Sequence, residues 1–116
     1  MDLFHRILKA EKRIMKYIRK TPLEFSPFLS KFCNCNVYLK LESEQLTGSF
    51  KIRGAFNKFL SSKDGFKNGF VTASTGNHGK AVAYVSKMLK IKGVVYVPEN
   101  VSKAKLEAFQ FYDNIL

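Results

Sequence analysis

The sequence lacks the long apolar run that a membrane-spanning helix needs. Such a span takes about 20 consecutive apolar residues, and no stretch of this 116-residue chain approaches that length. The first residues mix charges with apolar side chains and have no secretory core region. They are amphipathic and basic, as transit peptides are, but they include Asp2 and Glu11 and no serine. We therefore expect no targeting segment, and one small domain or part of a larger protein.

Cysteine and histidine are also scarce. The chain has only the C-x-C pair Cys33 and Cys35, with His5 and His78 as its histidines. Zinc takes about four ligands at specific spacings, and two cysteines give no disulfide framework. We therefore expect no metal site and a reducing, cytoplasmic location.

Acidic residues are few. Lys and Arg total 20 against 9 Asp and Glu, a net charge of +11, and residues 1–20 hold seven Lys/Arg against two acids. Such a balance can indicate nucleic acid or an anionic membrane as the partner. No RGG run, zinc-finger spacing or aromatic stacking motif accompanies it, and the lysines are dispersed. We interpret the charge as a solvated surface, with no nucleic-acid or membrane partner. A basic binding module centred on residues 6–20 is the alternative.

What the sequence does contain is an apolar fraction of 46% with eleven Phe, which is typical of a folded chain. Helical spacing predicts a first helix, capped by Asp2 and continuing through Ile18, that ends at the Thr21-Pro22 pair. Residues 23–32 are predicted to be irregular with one helical turn. Residues 37–41 alternate as a half-buried strand does. A helix that begins near Lys51 should bury one stripe, formed by Ile52, Ala55, Phe56, Phe59 and Leu60.

The second half alternates strand and helix. Strands are predicted at residues 70–73 and 94–97, helices at 81–89 and after a cap at Ser102, and a further strand beginning at Ile115-Leu116. This order indicates an α/β fold with a parallel sheet and right-handed crossovers. The glycine-containing segment 61–69 marks a possible domain boundary. We therefore predict two units, residues 1–60 and 61–116.

A candidate reactive amine lies in the stretch of residues 47–55, Thr-Gly-Ser-Phe-Lys-Ile-Arg-Gly-Ala. Lys51 stands there between Phe50 and Ile52. An apolar pocket would disfavour its ammonium form, and a neutral amine attacks carbonyl groups to form a Schiff base. The alternative is a surface cation at the start of a helix.

A second candidate site is Ser74-Thr75-Gly76-Asn77-His78-Gly79, between a predicted strand and the helix that follows. The carboxyl ends of parallel strands are where open α/β sheets bind ligands. Backbone N–H groups and the positive end of the helix dipole favour an anion there, such as a carboxylate or phosphate. The alternative is an ordinary turn whose polar residues cap the helix.

Taken together, these motifs resemble one known family. They occur in the order Thr21-Pro22-Leu23, residues 38–42, residues 47–55, residues 74–79, and Val97-Pro98-Glu99-Asn100 followed by residues 102–105. In this order they resemble the threonine dehydratase and serine racemase family, which belongs to the second fold type of pyridoxal-phosphate enzymes. The resemblance covers the chain from about Thr21 onward.

The resemblance implies a cofactor, pyridoxal 5′-phosphate, and a role for each motif residue. Lys51 would carry the aldimine and later take the substrate α-proton, and Phe50 would pack beside the ring. Asn77 would hydrogen-bond the phenolic oxygen of the ring. The substrate carboxylate would be bound by the loop of Ser74, Thr75, Gly76, Asn77 and His78.

The implied reaction is the deamination of L-threonine or L-serine, a small amino-acid substrate, to a 2-oxo acid and ammonia. Racemases of the family have serine at the position of Thr75, as a second acid/base, whereas many dehydratases have alanine. Threonine keeps the hydroxyl, so racemisation stays open. For His78 we expect a hydrogen bond that orients the loop. The full-length form is expected to be a homo-oligomer.

The chain also departs from the family pattern. Family members are much longer, and their glycine-rich phosphate loop lies beyond the length of this chain; all seven glycines here are isolated. Residues 111–114, Phe-Tyr-Asp-Asn, stand where the family usually has a Gly-Ala turn. We therefore expect an N-terminal contribution to the large domain and an incomplete small domain, inactive alone. A fragment, a split gene and a degenerate copy all remain open.

Overall fold

The computed structural model describes residues 2–110, without the side chains of residues 63 and 108–110. Two short 3₁₀ helices, Glu42–Glu44 and Lys63–Phe66, connect the larger elements. Those elements are, in chain order, α1 (Leu3–Ile14), β1 (Leu23–Phe25), α2 (Pro27–Cys33), β2 (Tyr38–Lys40), α3 (Lys51–Ser61), β3 (Phe70–Ala73), α4 (Asn77–Leu89), β4 (Gly93–Tyr96) and α5 (Lys103–Gln110).

Helix α1 begins as predicted but ends early. The Asp2 carboxylate accepts a hydrogen bond from the His5 N–H at 2.9 Å, which confirms the predicted cap. The helix ends at Ile14 rather than Ile18, so the predicted end is wrong. The chain turns there, with the Tyr17 N–H donating to the Ile14 carbonyl at 2.8 Å. That turn places the Tyr17 ring in a stack on Phe56, with centroids 5.0 Å apart.

The segment after α1 is more regular than predicted. β1 pairs with β2 in antiparallel register, Leu23 opposite Lys40 and Phe25 opposite Tyr38. α2 follows β1 directly, capped by Ser26 and ended by Asn34 in the left-handed conformation. The prediction of an irregular crossing is therefore wrong for the strand, because a three-residue strand is specified by its partner rather than by its own sequence.

The predicted strand–helix–strand unit is confirmed. β3 and β4 are parallel, with Phe70 opposite Gly93 and Ala73 opposite Tyr96, and α4 connects them. A Cβ at residue 93 would overlap the ring of Phe70, so any larger residue there would require that ring to move. α4 begins at Asn77, four residues before the predicted start, so part of the polar loop is its first turn. The predicted strand at Ile115-Leu116 lies outside the described residues.

The core lies between α1, α3 and α4, the last two being the helices that carry the candidate site. Four of the five predicted stripe residues of α3 are buried and Leu60 packs against them; the core residues are Ile14, Ile52, Ala55, Phe56, Phe59, Ala81, Val82 and Val85. The division into residues 1–60 and 61–116 stays a prediction. Within residues 2–110 no helix combines the length and apolar character needed to cross a membrane.

Candidate active site

Lys51 is the first residue of α3, and the loop before it sets its position. That loop leaves the 3₁₀ helix Glu42–Glu44 and reverses at Gly48, whose φ of +71° is one that glycine adopts without strain. Thr47 and Ser49 on either side are buried, and no hydrogen-bond partner is found for either hydroxyl among the described residues. The helix starts without a side-chain cap at Phe50.

The side chain of Lys51 is exposed. Its Nζ lies 4.8 Å from the centroid of the Phe50 ring, which is itself 58% exposed. The desolvating pocket stays a prediction, and among the described residues none encloses Lys51. The reason is the next residue: Ile52 is fully buried in the core, and the helical rotation directs Lys51 away from it. The amine is accessible to an aldehyde.

Lys51 lines a cavity of about 430 Å³ formed mainly by α3, β3 and α4. Lining residues include Phe50, which precedes α3, Lys51 and Lys58 from α3, Thr72 from β3 and His78 from α4. The His78 Nε2 lies 3.2 Å from the Thr72 hydroxyl, within hydrogen-bond distance. This contact is of the orienting kind expected for His78, and it connects the first turn of α4 to β3.

The loop after β3 is organised by Ser74. Its N–H donates to the Tyr96 carbonyl at 3.0 Å, which extends the parallel pairing by one bond. Its hydroxyl accepts from the N–H of Gly76 at 3.2 Å and from that of Gly79 at 3.0 Å. The first N–H groups of a helix have no acceptor within the helix. Ser74 satisfies the one at Gly79 and holds the loop against the start of α4.

The structure brings some of the predicted site residues together. Phe50, Lys51 and His78 line the cavity, whereas Ser74, Thr75, Gly76 and Asn77 are not among its described lining. Those four form the loop and first helical residue directly before His78. Space is open beside Gly76, where a Cβ would meet nothing within 4 Å. Among the described residues, no group of three or more His, Cys, Asp or Glu side chains could hold a metal ion.

Sequence reasoning missed an ion pair next to Lys51. Arg53 donates from Nε to Glu42 Oε2 at 2.8 Å and from Nη2 to Oε1 at 2.6 Å, and the Thr21 hydroxyl donates to the same Oε1 at 2.6 Å. The hydrogen bonds from Arg53 lower the pKa of Glu42 to about 2; partial burial acts in the opposite direction, and Thr21 lowers the pKa further. Thr21, Glu42 and Arg53 each lie in one of the motifs described in the sequence analysis. No local sequence pattern predicts a contact between residues on opposite sides of a loop, so their pairing could not be inferred.

Comparison with known proteins identifies the class. A family model described as "Pyridoxal-phosphate dependent enzyme" matches residues 14–114, and the chain belongs to this family. Its cofactor is pyridoxal 5′-phosphate, as the resemblance implied. Over 105 residues the chain is 40% identical to a biosynthetic L-threonine dehydratase of Staphylococcus epidermidis, a match that covers 90% of this chain and 25% of that protein.

Solved structures show the same fold. The serine racemase of Dictyostelium discoideum superimposes with a TM-score of 0.88 at 41% identity, over 96% of this chain and 37% of that one. The threonine deaminase of T.th. gives a TM-score of 0.79 at 34% identity, over 97% of this chain and 35% of that one. These likenesses confirm the predicted fold-type II architecture. The chain spans only about a quarter to a third of the length of the relatives it matches.

The described residues fit part of this cofactor. An aldehyde needs an accessible primary amine, which Lys51 supplies at the edge of a cavity next to an aromatic ring. A hydroxyl-rich turn at a helix N-terminus suits an anionic group, and the Ser74–Gly79 turn has this form. The donor set therefore fits the aldehyde of pyridoxal phosphate and one anionic group such as an amino-acid carboxylate.

Proposed function

We propose that this chain forms part of a pyridoxal-phosphate-dependent ammonia-lyase of the threonine dehydratase type, which converts L-threonine or L-serine to a 2-oxo acid and ammonia. The observation that carries the proposal is the shared cavity. It joins an accessible lysine at the head of α3 to His78 in the first turn of α4. Similarity to a threonine dehydratase and a threonine deaminase supports the choice of reaction.

In this proposal Lys51 has two tasks. Its Nζ would hold the cofactor through the aldehyde carbon, and the same Nζ would serve as the base that takes the proton from the substrate α-carbon. When bound, pyridoxal phosphate supplies an electron sink for the charge that develops at that carbon. The Phe50 ring lies next to the amine and would pack beside the cofactor ring.

The Ser74–Gly79 turn orients the substrate. Its backbone N–H groups and the positive end of α4 favour a carboxylate, so residues 74–78 bind that of the amino acid. The Asn77 side-chain amide would donate to the phenolic oxygen of the cofactor ring. Anchoring the carboxylate holds the α-hydrogen at a fixed distance from Lys51, and such positioning provides much of the rate.

The products follow from the substrate. Removal of the α-proton and loss of the β-hydroxyl as water leave an unsaturated amine, and hydrolysis of that amine returns one water and releases ammonia. L-threonine gives 2-oxobutanoate and L-serine gives pyruvate, with no net consumption of water and no oxidant.

The test is turnover by the chain expressed with whatever coding sequence naturally follows it. We expect 2-oxo acid formation from L-threonine or L-serine that depends on added pyridoxal phosphate and is lost in Lys51→Ala. Lys58→Ala is the matched control, because Lys58 lines the same cavity and has no assigned role. Activity that survives in Lys51→Ala, or that disappears only in Lys58→Ala, would contradict the proposal.

Racemisation is the second candidate, and two observations favour it. Thr75 keeps a hydroxyl in the loop, and the chain is 41% identical to a serine racemase whose structure it matches closely. If Thr75 serves as a second acid/base, Thr75→Ser should retain D-serine formation from L-serine, and Thr75→Ala should lower it by about 10²-fold or more while sparing 2-oxo acid formation. Chiral chromatography of the products measures both. D-serine formation that is unchanged in Thr75→Ala would exclude this role.

A further inference from the structure

The ion pair between Arg53 and Glu42 connects the first turn of α3 to the 3₁₀ helix Glu42–Glu44. Arg53, two residues after Lys51, makes a two-point contact with Glu42 at 2.6 and 2.8 Å. Fork-shaped arginine–carboxylate pairs fix orientation as well as distance. Both side chains are shielded, with 17% of Glu42 and 32% of Arg53 exposed. The pair therefore restricts both the rotation and the axial position of the turn that bears the amine.

Glu42 is itself held from the other side. The Thr21 hydroxyl donates to Glu42 Oε1 at 2.6 Å, and Thr21 is only 3% exposed. The Thr21 carbonyl accepts from Lys40 Nζ at 2.6 Å, and the neighbouring Pro22 carbonyl accepts from the Leu41 N–H at 3.0 Å. The carboxylate thus connects α3 to the end of the β1–β2 pair.

A second anchor holds the same loop. The Gln45 side chain is 4% exposed; its Oε1 accepts from the Arg19 N–H at 2.9 Å and its Nε2 donates to the Arg19 carbonyl at 2.8 Å. Beyond Gln45, the chain reaches Lys51 through Gly48 and the uncapped start at Phe50. No side-chain cap holds the Lys51 end, so besides the packing of Ile52 in the core the Glu42–Arg53 pair connects this turn to the loop before it.

We propose that Glu42, acting through Arg53, is a positioning residue that sets where the Lys51 amine stands in the cavity. The inference rests on the proposed function, because it assigns Lys51 the reaction with the pyridoxal aldehyde. Glu42 touches neither cofactor nor substrate in this account. Its effect is on the geometry of Lys51, and displacements of about 1 Å at a reacting atom can cost roughly 10²-fold in rate.

The test compares labelling at two lysines of one protein. The natural-length chain is treated with pyridoxal phosphate and borohydride, and the ratio of label at Lys51 to label at Lys58 is measured by peptide mass spectrometry. Glu42→Gln and Arg53→Lys should each lower this ratio about tenfold, since lysine cannot reproduce the arginine fork. Glu44→Gln is the matched control, an exposed glutamate on the same 3₁₀ helix, and should leave the ratio unchanged. A merely structural role would lower the melting temperature but not this ratio in the folded protein.

Thr21→Val covers the case in which the first two variants do not fold. It removes one hydrogen bond to Glu42 and leaves the ion pair, so a drop of roughly two- to fivefold in the ratio is expected, the size of a small net hydrogen-bond contribution. With turnover measured as well, kcat should fall more than KM rises. A wild-type protein that does not label Lys51 in preference to Lys58 overturns the proposed function and this inference with it. Preferential labelling that all folded variants retain overturns the positioning role alone.

Discussion

Glu42 keeps its charge well into acid because its partners hold the ionised form. Its pKa is about 2 instead of the ordinary 4.5, chiefly through the hydrogen bonds from Arg53. A carboxylate whose pKa is lower in the folded than in the unfolded protein stabilises the folded state. This contribution is complete at pH values above the pKa of the unfolded state, and it is lost as the pH falls through the pKa of the folded state. For Glu42 the loss therefore occurs between about pH 4.5 and pH 2.

We predict that Glu42→Gln removes a pH-dependent part of the stability. At pH 7 the variant should be less stable than the wild type, by at most roughly 3 kcal/mol from the shift in pKa, and the difference should shrink as the pH falls from 4.5 towards 2. Urea unfolding at a series of pH values measures this. Glu44→Gln, on an exposed side chain, should follow the wild type. A stability difference between Glu42→Gln and wild type that does not change with pH would contradict this prediction.

At the residue scale, the sequence predicted Lys51 as the candidate amine but did not predict the environment of its side chain. The residues beside Lys51 are apolar, which favoured a buried amine, yet Ile52 is fully buried and Lys51 is exposed. Local sequence does not say which of two neighbouring helix residues faces the core. The Glu42–Arg53 and Arg19–Gln45 contacts join residues 11 and 26 positions apart, so they could not be predicted from spacing.

At the scale of elements, α3 contributes residues both to the core and to the candidate site. Its Phe56 is fully buried, stacked on Tyr17 with centroids 5.0 Å apart and edge-on to Tyr84 at 6.3 Å. One face of α3 thus packs on α4 and the turn after α1, while Lys51 stands at the cavity. Packing on this face determines how the two halves of the site lie relative to each other.

We predict that Phe56→Ala destabilises the fold by about 3–5 kcal/mol, as for other buried phenylalanines, and Phe56→Leu by clearly less. Thermal or urea unfolding measures the loss. Phe28→Ala is the control for residue type, because Phe28 on α2 is 78% exposed and should change stability by no more than about 0.5 kcal/mol. A similar effect of both alanine variants would contradict the assigned core.

An element could be predicted when its own residues carry the sequence pattern of a helix or strand, and was missed when a distant partner defines it. β3, α4 and β4 were predicted because each has its own apolar pattern and the turns between them contain glycine and polar residues. β1 was missed because Leu23-Glu24-Phe25 is short and exposed on all three residues, so only its pairing with β2 defines it. The end of α1 was placed too late because Tyr17 leaves the helix for a long-range stack on Phe56.

At the scale of the whole molecule, the described structure exposes much apolar surface on β1, α2 and β2. Five large side chains of β1, α2 and β2 are between 48% and 82% exposed: Leu23, Phe25, Phe28, Phe32 and Tyr38. Monomeric proteins rarely expose extended apolar patches. The chain covers only 25–37% of the length of the relatives it matches.

We predict that residues 1–116 expressed alone self-associate and convert no L-threonine to 2-oxobutanoate. Exposed apolar surface and open strand edges both favour assembly. Light scattering coupled to size exclusion measures the first expectation and a 2-oxo acid assay the second. The double variant Phe28→Ser and Phe32→Ser should raise the monomer fraction. A soluble monomer that turns over threonine with added pyridoxal phosphate would contradict both.

The central claim is that Lys51, among many lysines, is the amine that binds the cofactor. Reduction of the pyridoxal-phosphate complex of the natural-length protein with borohydride, followed by peptide mass spectrometry, tests it most directly. We expect the reduced pyridoxyl group on Lys51 in the wild type and in Lys58→Ala, and its loss from the protein in Lys51→Ala. A label spread over the surface lysines, or a site-specific label that persists in Lys51→Ala, would contradict the claim.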